Sequence, residues 1–133
     1  MNDLREKFIN KGIPYDNIDK EMIEVIDVLN FQLGLKTKYC CYGHRGQDFT
    51  HIVFHESVDD EKIYRLGEII CKQWLPNFVS LKKWIRFTEK FQPNWVLEIG
   101  VRYKDPNSPE KRERFERIVN ELKRIDRSAL ETE

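Results

Sequence analysis

The stretch Phe78–Thr88, FVSLKKWIRFT, sets Val79, Leu81, Ile85 and Phe87 two or four residues apart, and Trp95–Tyr103 spaces its apolar residues likewise. A period of two suits an extended strand, because successive side chains leave a strand on opposite faces. Val79, Leu81, Ile85 and Phe87 then share one face, and Phe78, Ser80, Lys82, Trp84 and Arg86 share the other. On the second strand Trp95, Leu97, Ile99, Val101 and Tyr103 are the apolar set, against Val96, Glu98, Gly100 and Arg102. The intervening EKFQPN predicts a hairpin loop. A ribbon with one apolar face must bury it, so helices have to lie against that side.

The remaining punctuation supplies them. PYDNID predicts the start of a helix capped by Asp16 or Asn17, with Ile18, Met22, Ile26, Leu29 and Leu33 at helical spacing and Gly34 as its stop. Two strands are expected next, Leu35–Tyr42 and Thr50–Glu56, joined by the turn chemistry of GHRGQDF. Ser57-Val58-Asp59-Asp60 reads as a capping box for a helix that buries Ile63, Leu66, Ile70 and Trp74. Ser108-Pro109-Glu110 opens a last helix, with Phe115, Ile118, Val119, Leu122 and Ile125 on its apolar side. The order is αββαββα. It predicts an α+β fold in a single domain, 1–133, whose antiparallel four-stranded sheet carries its helices on one face. Homing endonucleases of the LAGLIDADG type share this order of elements, but their signature helix motif is absent here.

Charge rules out a global attraction to polyanions, since 23 Lys and Arg balance 23 Asp and Glu. The distribution is uneven: Lys72–Lys90 holds five bases and one acid, so a local basic surface is expected there. No apolar run reaches the ~18 residues that a membrane span needs. Three cysteines, two of them adjacent, make a poor disulfide framework, which points to a reducing cytoplasm.

Tyr39-Cys40-Cys41-Tyr42-Gly43-His44 gathers two thiols and an imidazole around one glycine, and three readings stand side by side. A metal site would use Cys41, His44 and His51, because Cys40 and Cys41 face opposite ways on a strand. A nucleophile would be Cys41, with His44 depressing its pKa. A binding turn would use Gly43, His44 and Arg45, with Gly46 helping backbone N–H groups converge on an anion. Each competes with an ordinary hairpin carrying a core cysteine and surface histidines. No glycine-rich phosphate loop is present, and no cofactor is expected.

Thr37-x-x-Cys40-Cys41-x-Gly43-His44, followed by His51-Ile52-Val53-Phe54, resembles a hairpin of many small phage and prophage proteins. It is more distantly similar to the Ser-Ser-Cys-Ser-Gly-Arg hairpin of the tRNA wybutosine-synthesising methyltransferases. Cys41 and Gly43 match that second pattern, while Cys40 replaces a serine and His44 the arginine. The likeness spans Leu35 to Leu66. It implies a recurrent functional hairpin and a phage origin, hence a host-cytoplasmic setting.

The second ribbon suggests the ligand. Its outward face offers Lys82, Trp84, Arg86 and Arg102, and a ring flanked by cations suits a base with its phosphate. The competing reading is a solvated face with Arg86 and Glu98 paired across strands and Trp84 covered in a homodimer. The sequence therefore predicts a binding protein rather than an enzyme, for a nucleotide or short single-stranded RNA. The rivals are RNA modification through Cys41 and His44, or a protein-interaction module.

Overall fold

The structure, a computed structural model, describes residues 3–43, 50–73, 79–87, 91–99 and 108–131, with the backbone alone at 71–73, 86, 87 and 91. Helix α1 (Asp3–Asn10) leads, and a turn of 3₁₀ helix (Lys20–Met22) runs into α2 (Ile23–Asp27), which widens into a π-helix (Val28–Gln32). Strands β1 (Thr37–Cys41) and β2 (Thr50–Phe54) follow, then α3 (Asp60–Gln73), β3 (Val79–Phe87), β4 (Phe91–Ile99) and α4 (Pro109–Lys123). The four strands form one antiparallel sheet in the order β1-β2-β4-β3. The expected αββαββα order and four-stranded antiparallel sheet are present.

Helical residues pack on one side of the sheet. Ile52, Phe54, Leu97 and Ile99 point into a cluster built from Val25, Ile26 and Leu29, from Ile63, Leu66 and Ile70, and from Phe115, Ile118 and Leu122. Each such side chain taken fully out of water contributes on the order of 1.5–3 kcal/mol, so this layer fixes which sheet face is inward. Gly67 lets α3 approach closely, for a Cβ there would stand 3.3 Å from Leu81 Cδ1.

The π-turn has a local cause. The Asn30 amide, buried, donates to the Ile26 carbonyl at 2.8 Å and to Thr37 Oγ1 at 2.9 Å, while its oxygen accepts from Thr37 N at 3.1 Å. A side chain thus occupies the Ile26 carbonyl, and the backbone ladder steps to a five-residue reach, as in Leu33 N to Val28 O at 2.9 Å. Gly34 then turns with φ +70°, and Leu35 N reaches back to Leu29 O at 2.7 Å, one residue further than the six-to-one bond of a Schellman stop.

Several caps and boundaries differ from the sequence expectations. Asp16 pairs with Arg5 at 2.7 Å, and the helix opens three residues after it, behind Asp19. Ser57 bonds the His55 ring at 2.8 Å instead of capping α3, which begins at Asp60 with the Lys62 and Ile63 N–H groups reaching the Asp59 carbonyl. Ser108 does cap α4, accepting from Lys111 N at 3.1 Å, with Pro109 in the first turn. Strand β4 begins at Phe91, so Phe91–Asn94 of the stretch expected as a loop belong to the strand. β4 pairs with β2 across Val96–Ile99 and with β3 along Phe91–Ile99, so Pro93 falls where β2 has ended and no ladder donor is needed there.

Candidate functional site

The face away from the helices is read from the register. Tyr39 stands opposite Val53, Cys41 opposite His51, and His51 opposite Glu98. On the far side Ser80 meets Glu98, Lys82 meets Val96 and Trp84 meets Asn94. All of these share the outer face, because directly opposed residues point the same way.

Three rings cross this face as a row. Tyr39 and His51 lie 5.7 Å apart between centroids at an interplanar angle of 31°, and His51 and Trp84 lie 5.6 Å apart at 47°. Tyr39 is 55% exposed and Trp84 39%, so both present ring surface to solvent. The register places Val53 and Val96 between the His51 and Trp84 positions, and both valines are buried although they stand apart from the helix-side core.

Beneath the row is an incomplete hydrogen-bonding group. Asn94, 3% exposed and directly opposite Trp84, donates Nδ2 to the Phe54 carbonyl at 3.0 Å. A carbonyl can only accept, so this bond fixes the amide's orientation and leaves Oδ1 buried with no donor among the described residues.

Charge on the face is largely paired. Lys82 Nζ lies 3.2 Å from Glu98 Oε1, the partnership the sequence assigned to Arg86. Arg86 instead stands opposite Gln92 in the register. At the sheet's other edge Lys38 contacts Glu56 at 3.1 Å. On the helix side Asp60 accepts from the Trp95 indole at 2.7 Å and from Lys83 at 3.0 Å, and these bonds, the indole's foremost, hold its carboxyl below the usual range.

The two cysteines separate as their alternation requires. Cys40 turns inward, and burial first, then Asp19 and Cys41, pushes its thiol up to about 12. Cys41 faces outward opposite His51, with Sγ accepting from Gly43 N at 3.3 Å. Gly43 has φ +97°, as its turn chemistry anticipated, and its N–H is engaged by that thiol. His44, Arg45, Gly46 and Arg102 lie outside the described residues, as do Trp74, Val101 and Tyr103. Of the metal-ligand trio, Cys41 and His51 stand together; among the described residues no group of three His, Cys, Asp or Glu is arranged to hold a metal ion.

Of the proposed ligand contacts, Lys82 and Trp84 share the outer face as expected. Tyr39 and His51, which complete the row, were not assigned to it from sequence. Their strand parity was readable, but it took the β1-β2-β4-β3 order to bring the first hairpin beside the second.

Fold and face together describe a small α+β protein whose sheet carries an aromatic row on the side away from its helices. The family model described as YoqC prophage protein matches residues 6–129, and the chain belongs to that family. This bears out the phage or prophage character suggested by the hairpin. No curated protein matches the chain, and no solved structure does. Among the described residues no helix is long and apolar enough to cross a membrane.

Proposed function

We propose that this prophage protein is a non-enzymatic binder of a nucleotide or a short single-stranded RNA, held on the outer face of its sheet. The observation that carries the reading is the Tyr39–His51–Trp84 row. Bases stack on aromatic side chains whatever their identity, at about 1–3 kcal/mol per base, and a sheet face is a rigid place to mount them. Lys82, exchanging Glu98 for a phosphate, supplies charge beside Trp84; Arg86, Arg102 and the Gly43–His44–Arg45 turn are the other phosphate contacts assigned from sequence. In a host cell such a protein would keep a nucleotide signal out of circulation.

Isothermal titration of the purified protein with adenosine and uridine nucleotides and with hexa-uridylate tests this. The wild type is expected to bind at least one of them, with Trp84→Ala and Tyr39→Ala each weakening it by about 1–3 kcal/mol. Absence of binding across the panel, or undiminished affinity in Trp84→Ala, rejects the proposal.

A further inference from the structure

Beside the first ring of the row, a cleft of about 220 Å³ opens between the 11–18 connection and the edge strand β1. Lys11, Lys36 and Lys38 line it, and no carboxylate does. In a chain with equal numbers of acids and bases, three lysines lining one small space, of which Lys38 is held by Glu56 at 3.1 Å, make a local positive surface. Lys11 and Lys36 make no ion pair among the described residues, and Lys11 lies over the Phe31 ring at 5.5 Å. Ile13 and Ile26, both buried, supply an apolar floor. Gly12, at φ +85°, leaves the wall open there, since a Cβ at that position would meet nothing within 4 Å. Tyr39 belongs to both places, lining the cleft and starting the aromatic row.

We infer that this cleft takes the phosphate end of the ligand, so that the molecule recognised is a nucleotide with a terminal phosphate and not an internal stretch of strand. The inference rests on the stacking reading above, because Tyr39 is the point at which base and phosphate would part. A terminal phosphate carries up to two charges, which matches a cluster of flexible ammonium donors better than a single backbone diester does. The apolar floor accommodates the ribose carbons beside the charged group.

The test compares adenosine, AMP and ADP on the wild type, on Trp84→Ala and on the double variant Lys11→Gln/Lys36→Gln. The wild type is expected to prefer AMP and ADP over adenosine by about tenfold or more. The lysine variant should lose that preference while retaining adenosine binding; Trp84→Ala should weaken all three ligands and keep it. An unchanged AMP-to-adenosine ratio in the lysine variant overturns the inference and leaves the stacking reading intact. If the wild type binds none of the three and none of the uridine ligands named above, the stacking reading fails, and the cleft is judged alone by titrating pyrophosphate against amide resonances. Shifts at Gly12 and Thr37 that vanish in the lysine variant then support a phosphate site, and unmoved resonances overturn it.

Discussion

The imidazole of His51 and the indole of Trp84 meet at 5.6 Å between centroids, although β2 and β3 are not neighbours and β4 runs between their strands. Each ring leans across the intervening strand toward the other. The space beneath contains a Val53–Val96 pair that no helix covers, so the sheet has a second, smaller apolar patch on its open side.

That relationship makes a prediction about an observable ring current. Replacing Trp84 by Ala should move the His51 ring-proton resonances and leave those of His55, which bonds Ser57, where they were. Two-dimensional NMR of the imidazole protons checks it, and a His51 spectrum indifferent to the loss of the indole would contradict the row.

Asn30 joins the π-turn to the first strand through two hydrogen bonds with Thr37, and its buried amide makes a third to the Ile26 carbonyl. Asn30→Ala leaves the Thr37 N–H and the Ile26 carbonyl without this partner, a cost of about 2–3 kcal/mol by the usual penalty for buried unpaired groups. Urea unfolding monitored by circular dichroism measures it. A loss within experimental error would show that the amide is dispensable.

Asp60 gives a pH dependence with a definite sign. The Trp95 indole, then Lys83, hold its folded pKa below the unfolded value of about 3.9. Stability from this contact is therefore fully present above that value and is lost as pH falls through the lowered folded one. The Trp95 indole N–H resonance should titrate with a midpoint below the ordinary Asp range, and Asp60→Asn should flatten the curve. A midpoint at or above the ordinary value would show that the carboxylate is not held.

Cys40 should be inert. Its thiol, pushed up to about 12 by burial, carries almost no thiolate near neutrality, and thiolate is the form that alkylates. Iodoacetamide applied to native protein at pH 8, followed by peptide mass analysis, should leave Cys40 unmodified until the chain is unfolded. Rapid native labelling of Cys40 would place it on the outside of the sheet.

Much of this architecture was legible in the sequence because it depends on local rules. The first period-two stretch, Gly34 and the Ser108–Pro109 start each encode their geometry within a few residues and are found where the pattern put them, whereas β4 begins at Phe91, four residues before the expected Trp95. Asp16 and Ser57 were misassigned because a polar side chain near a helix start has competing partners: Arg5 claims the first, and the His55 ring claims the second. Alternation correctly sent Lys82 and Trp84 outward and Leu81 inward, yet Ile85, on the inward side by parity, is 47% exposed. It stands opposite Pro93, past the last β2 pairing, where the ribbon has outrun its neighbour. The aromatic row was hidden for a different reason. It joins residues from both hairpins, and which strand of one ribbon lies beside which strand of the other is a matter of long-range packing that no local pattern carries.

Strand β3 has no ladder partner on its far side among the described residues. Nine extended residues with open amide groups are a template on which another chain could lengthen the sheet. Lys82 and Lys83 stand in the middle of that stretch, one on each side of the pleat, and a second copy laid antiparallel alongside would bring like charges together. These two lysines therefore also act as guards against edge-to-edge fibre growth, and a variant apolar at both positions would trade solubility for stickiness.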